Sequence, residues 1–195
     1  MNPARAKWNE KYQNMPSAGE PSPPAWLTLH EEMLRETAPA QATCLACGLG
    51  GDALYLAAIG FSVTALDISE IALSSLKQRA DKNQLPVQTV QTDFEKSTTK
   101  LETCDLISSF YFLQKSLWPQ MKRALRPGGL LIFETFSRAH LLLAEQFNPR
   151  FTVRPGELLA AFSDFILLDQ RTTIVTTSSR KKQAVVSIVA QKKHA

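Results

Sequence analysis

The stretch from Gln41 to Gly60, Gln-Ala-Thr-Cys-Leu-Ala-Cys-Gly-Leu-Gly-Gly-Asp-Ala-Leu-Tyr-Leu-Ala-Ala-Ile-Gly, limits what this chain can fold into more than any other. It reads as a short buried strand over residues 42–46, a glycine turn at Gly48, Gly50 and Gly51, and an apolar helix ended by Gly60. Glycines let the backbone take positive φ and let a ligand come close to the main chain. The helix that follows aims its unpaired N–H groups back at the turn, which favours an anionic group there. A strand, a glycine turn and a helix with no side chain between them suit a nucleotide-type cofactor.

The flanking sequence continues the same architecture. Residues 1–13 read as a short helix with Trp8 and Tyr12 four apart and so on one face. Residues 14–24 are a Pro-rich connector, excluded from regular helix and central strand. Residues 25–37 read as one helix, closed by Pro39. Residues 61–67 and 87–93 read as strands, each ending in an acid, Asp67 and Asp93. Between them Ser69 caps a helix in which Ile71, Ala72, Leu76 and Ala80 recur at helical spacing. Residues 104–110 and 130–136 read as further strands around a helix at 118–125, with a turn at Arg126-Pro127-Gly128-Gly129. Alternating strands and helices predict right-handed crossovers and a parallel sheet covered on both faces. The last third differs. Residues 137–146 read as helical and 155–162 as a short helix. Strands at 165–175 and 183–191 are joined too closely for a crossover, which predicts an antiparallel hairpin.

At 195 residues the chain has the length of one domain, with 44% apolar and 21% charged residues, the composition of an ordinary globular protein. No apolar run approaches the roughly 20 residues a membrane span needs, and the first residues lack the apolar core of a secretory signal. Three cysteines argue against a disulfide framework and for a reducing cytoplasm. The net charge of +4 sits partly in Arg180-Lys181-Lys182 and Lys192-Lys193-His194, read as a solvated hairpin turn and a frayed terminus.

Gly48-x-Gly50-x-x-Ala53 followed by Asp67 fits a dinucleotide fingerprint, which by itself does not separate NAD from S-adenosylmethionine. The chain has no room for a second nucleotide-binding half plus a substrate domain, and it ends in a hairpin. Together with Leu-Arg-Pro-Gly-Gly-Leu-Leu-Ile-Phe after a helix, and acids ending strands two and three, this resembles the class I (Rossmann-like) S-adenosylmethionine-dependent methyltransferases. The glycine segment, the Trp/Tyr leader and Val-Arg-Pro-Gly-Glu-Leu before the hairpin look most similar to the small tellurite-resistance-type (TehB-like) members. The resemblance implies a three-layer α/β fold, with a mostly parallel sheet and a C-terminal antiparallel hairpin. It makes residues 1–24 a leader and possible lid, and 25–195 the methyltransferase domain.

Carried over residue by residue, the resemblance puts the methionine end of S-adenosylmethionine (product S-adenosylhomocysteine) against Ala46, Cys47, Gly48 and Gly50. Asp67 would hold the ribose hydroxyls with Ile68 against adenine. Asp93 would take the adenine amino group with Phe94 beside the ring, and Phe110 and Tyr111 would lie next to the sulfonium. Cys44 stands where the family usually carries an acid, and Asp52 is one substitute for it. Cys44-x-x-Cys47 could be read as a redox pair, but buried structural cysteines are the expectation. No metal is expected, because Cys104, His30, His140 and His194 are scattered.

Tyr111 and Glu134 are the candidate catalytic side chains, with His140 behind them. Arg150 and Arg154, whose guanidinium forks suit anions, are candidates for substrate binding together with Trp8 and Tyr12. The reading is a cytoplasmic methyltransferase, monomer or homodimer, acting on a small acceptor such as a chalcogen oxyanion, thiol or small metabolite rather than on nucleic acid or at a membrane. The alternatives are an RNA or protein methyltransferase, or a protein that binds the cofactor without catalysis.

Overall fold

The computed structural model describes residues 2–15, 21–96, 100–177 and 180–194, and the chain divides into two compact units, residues 1–100 and 101–195. The first unit opens with α1 (Pro3–Gln13), whose N-cap Asn2 accepts hydrogen bonds from the Ala4 and Arg5 amides. The helix expected over 25–37 is two, α2 (Ala25–Thr28) and α3 (Glu31–Thr37). The break has a local cause. His30 Nδ1 lies 2.8 Å from the Trp26 carbonyl, the oxygen its own amide would use in a continuous helix, and that amide turns to Leu27 instead. Part of the connector, residues 16–20, lies outside the described residues.

Three parallel strands follow, β1 (Gln41–Leu45), β2 (Ser62–Asp67) and β3 (Val87–Gln91), in the spatial order β3-β2-β1. Four of the five β1 residues are buried, as expected of a parallel strand covered on both faces. The crossovers are α4 (Gly51–Ala58) and α5 (Glu70–Lys82). Ser69 caps α5 by accepting from the Ala72 amide at 3.2 Å. The inner face of α5 buries Ala72, Leu73, Leu76 and Ala80, and a fully buried leucine such as Leu76 contributes about 1.5–3 kcal/mol.

The second unit contains β4 (Cys104–Phe110), α6 (Trp118–Ala124) and β5 (Leu125–Ser137). The Arg-Pro-Gly-Gly segment, expected as a turn before β5, is absorbed into the strand through a register shift against β4. Residues 138–142 form one 3-10 turn where a longer helix was expected. His140 stacks on Phe136 and meets Phe147 edge-on, with centroids 4.5 and 4.7 Å away. This cluster fixes the segment as turns and leaves Leu142 exposed. A two-residue strand, β6 (Thr152–Val153), pairs with the end of β5 in parallel, and α7 (Glu157–Ala161) follows.

The hairpin is present as β7 (Phe165–Thr176) and β8 (Lys182–Lys192), with β8 antiparallel to both β7 and β5. The second basic cluster is not wholly frayed. Lys192 belongs to β8, and its ammonium donates to the carbonyls of Lys122 and Leu125 at 2.7 and 2.6 Å. Arg180, Lys181 and Lys182 are exposed, as expected. Among the described residues no helix is long and apolar enough to cross a membrane.

Candidate active site

In the first unit the loop after β1 is shaped by left-handed residues. Ala46, Gly48 and Gly50 have φ of 51°, 53° and 79°. At Gly50 a Cβ would fall 2.4 Å from the Leu76 side chain, so helix packing as well as backbone conformation requires glycine. At Gly48 it would fall 2.5 Å from the Tyr12 hydroxyl, so α1 lies directly over the glycine turn. Ala46 is a non-glycine residue in the left-handed region, strain that proteins retain where the surroundings over-determine it.

Asp67, at the end of β2, is 5% exposed. One carboxylate oxygen accepts from the Gly48 amide at 2.8 Å and the other from the Ser69 amide at 2.8 Å. The acid therefore ties the glycine turn to the start of α5. Burial raises its pKa, opposed by the amides of Ser69, Gly48 and Ile68 and by the nearby Lys11 ammonium. An ionised carboxylate has about four acceptor positions, so these amides leave capacity for a ligand hydroxyl.

A cavity of about 480 Å³ in this unit is lined by Leu66, Ile68 and Asp93 together with Asn2, Arg5, Gln91 and Lys96, and Asp67 is not among its lining residues. That is within the range of small-molecule sites. Phe94 is buried and is not among the lining residues. Asn2 donates to the Asp93 carboxylate, and Asn9 accepts from the Ser69 hydroxyl at 2.7 Å. The leader thus engages the surroundings of both acids. Trp8 and Tyr12 stack at 5.8 Å, with the Lys11 ammonium 4.2 Å from the Trp8 ring centre. Asp67, the glycine turn and this cavity are the features of the first unit that could hold S-adenosylmethionine, with Tyr12 lying on the turn at Gly48.

Cys44 is fully buried and Cys47 partly so, both as free thiols. Burial, then the charges of Asp52 and Asp67, push the Cys47 thiol well up, the opposite of the lowered pKa that marks a reactive cysteine. Asp52 is buried at the start of α4 and accepts from the Ala53 amide at 2.9 Å.

The second unit assembles the candidates at the ends of β4 and β5. Phe110 pairs with Glu134 across the strands, and Tyr111 follows with φ 56°. Glu134 is 1% exposed and accepts from Arg171 Nη2 at 2.8 Å, from Ser187 Oγ at 2.6 Å and from the Tyr111 hydroxyl. Burial, then the Glu134 charge and its hydrogen bond, raise the Tyr111 pKa far above its usual value. Burial lowers that of His140, whose Nδ1 lies 3.4 Å from the Ala184 amide. Arg171 was not visible in the sequence as a site residue. It reaches Glu134 through the row Glu134–Ser187–Arg171 across β5, β8 and β7. Arg150 sits over the ring of Phe151 at 5.0 Å, while Arg154 lines a different, smaller cavity.

Residues 43–129 match the family model described as a methyltransferase domain. The chain is 32% identical to Hemagglutinin 1 of Eikenella corrodens over 145 residues, 70% of this chain and 47% of that protein. It is 29% identical over 139 residues, 67% of this chain and 48% of the relative, to TehB of Haemophilus influenzae, described as a probable S-adenosyl-L-methionine-dependent methyltransferase. The chain thus spans about half the length of the curated relatives it matches. The crystal structure of TehB from Haemophilus influenzae superposes with a TM-score of 0.71 at 22% identity, covering 97% of this chain and 67% of that one. The fold is therefore the mixed α/β fold of these proteins, with a mostly parallel sheet and a C-terminal antiparallel hairpin.

Proposed function

Because the chain belongs to the class I S-adenosylmethionine-dependent methyltransferases, on their TehB-like side, we propose that it moves a methyl group from S-adenosylmethionine to a small acceptor. The observation that carries the proposal is Asp67, a buried acid at the end of β2 held on the Gly48 and Ser69 amides, followed by Ile68, which lines a cavity that reaches Asp93. When bound, S-adenosylmethionine supplies a methyl group that is already electrophilic. The chain then has to bind, orient and exclude water. Asp67 takes the ribose hydroxyls, Ile68 and Asp93 face the adenine, and the glycine turn admits the methionine end. Tyr12 lies over that turn at Gly48, and Trp8 stacks on Tyr12.

In the second unit Glu134 accepts from three donors and His140 packs against the rings of Phe136 and Phe147. The acceptor proposed is a small one, such as a thiol or a chalcogen oxyanion, whose methylation makes little demand for a general base. Glu134 acts as a positioning residue that fixes the Tyr111 hydroxyl.

The test is ligand-dependent melting with S-adenosylhomocysteine, NAD and NADP, since a ligand that binds only the native state must stabilise it. S-adenosylhomocysteine at 100 times its Kd should add about 2.7 kcal/mol, and the nicotinamide nucleotides should add nothing. Stabilisation by NAD instead would refute the assignment.

A further inference from the structure

The second unit contains a cavity of about 180 Å³ that plays no part in the proposed reaction. Its walls come from the end of β5 and the turn after it (Ser137, Arg138), from Arg154 and Leu158, and from Thr172 and Val186 of the hairpin. Thr172 pairs with Val186, and Val186 with Thr135. The next row is Arg171, Ser187 and Glu134. Neighbouring residues of a strand point to opposite faces, so this cavity and the Glu134 carboxylate lie on opposite faces of the hairpin sheet.

Three features specify what would fill it. Ser137 is 8% exposed, and its hydroxyl has no hydrogen-bond partner among the described residues, although native structures rarely keep a buried polar group unsatisfied. Arg138 and Arg154 are among the lining residues and no Asp or Glu is, although Glu157 lies near enough to Arg154 for their charges to interact. The remaining surface includes Val153, Pro155, Leu158 and Val186, which is apolar. A planar anion satisfies a guanidinium fork in two parallel hydrogen bonds, and its second oxygen can accept from a serine hydroxyl. At about 30 Å³ for each water-sized unit, the space holds on the order of six non-hydrogen atoms.

We propose that this cavity is a binding site for a small aliphatic carboxylate, its head group on Arg138, Arg154 and Ser137 and its chain on Leu158 and Val186.

The probe is butanoate, with butanamide as the uncharged molecule of the same shape, each titrated into the full chain and followed by saturation-transfer NMR. Butanoate should bind saturably, butanamide at least tenfold more weakly, and the double variant Arg138→Gln/Arg154→Gln should raise the butanoate Kd at least tenfold. Ser137→Ala should raise it by a smaller factor. The proposal fails if butanoate does not saturate, if butanamide binds as well, or if the folded double variant binds butanoate unchanged. The comparison of the two probes needs no variant, so a folding defect would not obscure the answer.

Discussion

Two acids show how differently a carboxylate can be used at the level of single residues. Asp67 holds backbone amides, whereas Glu134 holds the side-chain donors of Arg171, Ser187 and Tyr111. Asp67→Ala should therefore weaken S-adenosylhomocysteine binding by roughly 1.5–3 kcal/mol, the range for hydrogen bonds to a charged group. Calorimetry on the folded variant checks this, and unchanged affinity would remove the ribose assignment. For Glu134→Gln the expected loss is mainly one of stability. Breaking a fully buried ion pair costs about 3–5 kcal/mol. Arg171 retains 29% side-chain exposure, so water screens the charge left behind and about 1–3 kcal/mol is expected. A lower urea midpoint at constant slope is the readout. In the same variant the Tyr111 phenol should ionise at lower pH, because the Glu134 charge that raises its pKa is gone. A near-ultraviolet titration against Tyr111→Phe isolates that group.

Elements were legible in the sequence wherever local chemistry decides them. The unit from Gln41 to Gly60, the Ser69 cap and the hairpin could all be read, because glycine positions, a capping hydroxyl and connection length act within a few residues. Pairing across the sheet could not. Arg171 meets Glu134 only because the register of β5, β8 and β7 puts them in one row, and register leaves no local signature. The leader is an intermediate case. Its helix and its Trp8/Tyr12 face were readable, but the placing of Tyr12 over Gly48 and of Asn2 on Asp93 was not. α1 has no buried residue and packs chiefly on α5, so its removal costs little core. Truncation of residues 1–24 should remove from the far-ultraviolet spectrum only the signal of α1 itself and leave cooperative unfolding in place, while depressing turnover at least tenfold. Equal turnover in the truncated chain would show that covering the glycine turn is dispensable.

At the scale of the whole molecule the question is what size of acceptor the surface can recognise. Specific nucleic-acid interfaces bury on the order of 1,000–2,500 Å² of protein surface and draw on a basic face. The net charge here is +4. Of the two basic clusters, Lys192 spends its ammonium on the carbonyls of Lys122 and Leu125, which leaves Lys193 exposed after β8 and Arg180, Lys181 and Lys182 as an exposed group at the hairpin turn. Three charges on one turn are a small footprint against six to ten phosphate contacts, which cost a nucleic-acid binder about 10³–10⁵ in affinity between 50 and 200 mM salt. The small-acceptor reading therefore predicts where a labelled methyl group goes. With labelled S-adenosylmethionine and fractionated cell extract, label should enter the low-molecular-weight fraction, and raising salt from 50 to 200 mM should change the rate less than threefold. Label appearing mainly in RNA or protein, with a steep salt dependence that Arg180→Gln/Lys181→Gln/Lys182→Gln abolishes, would make the hairpin turn a recognition element and the acceptor a macromolecule.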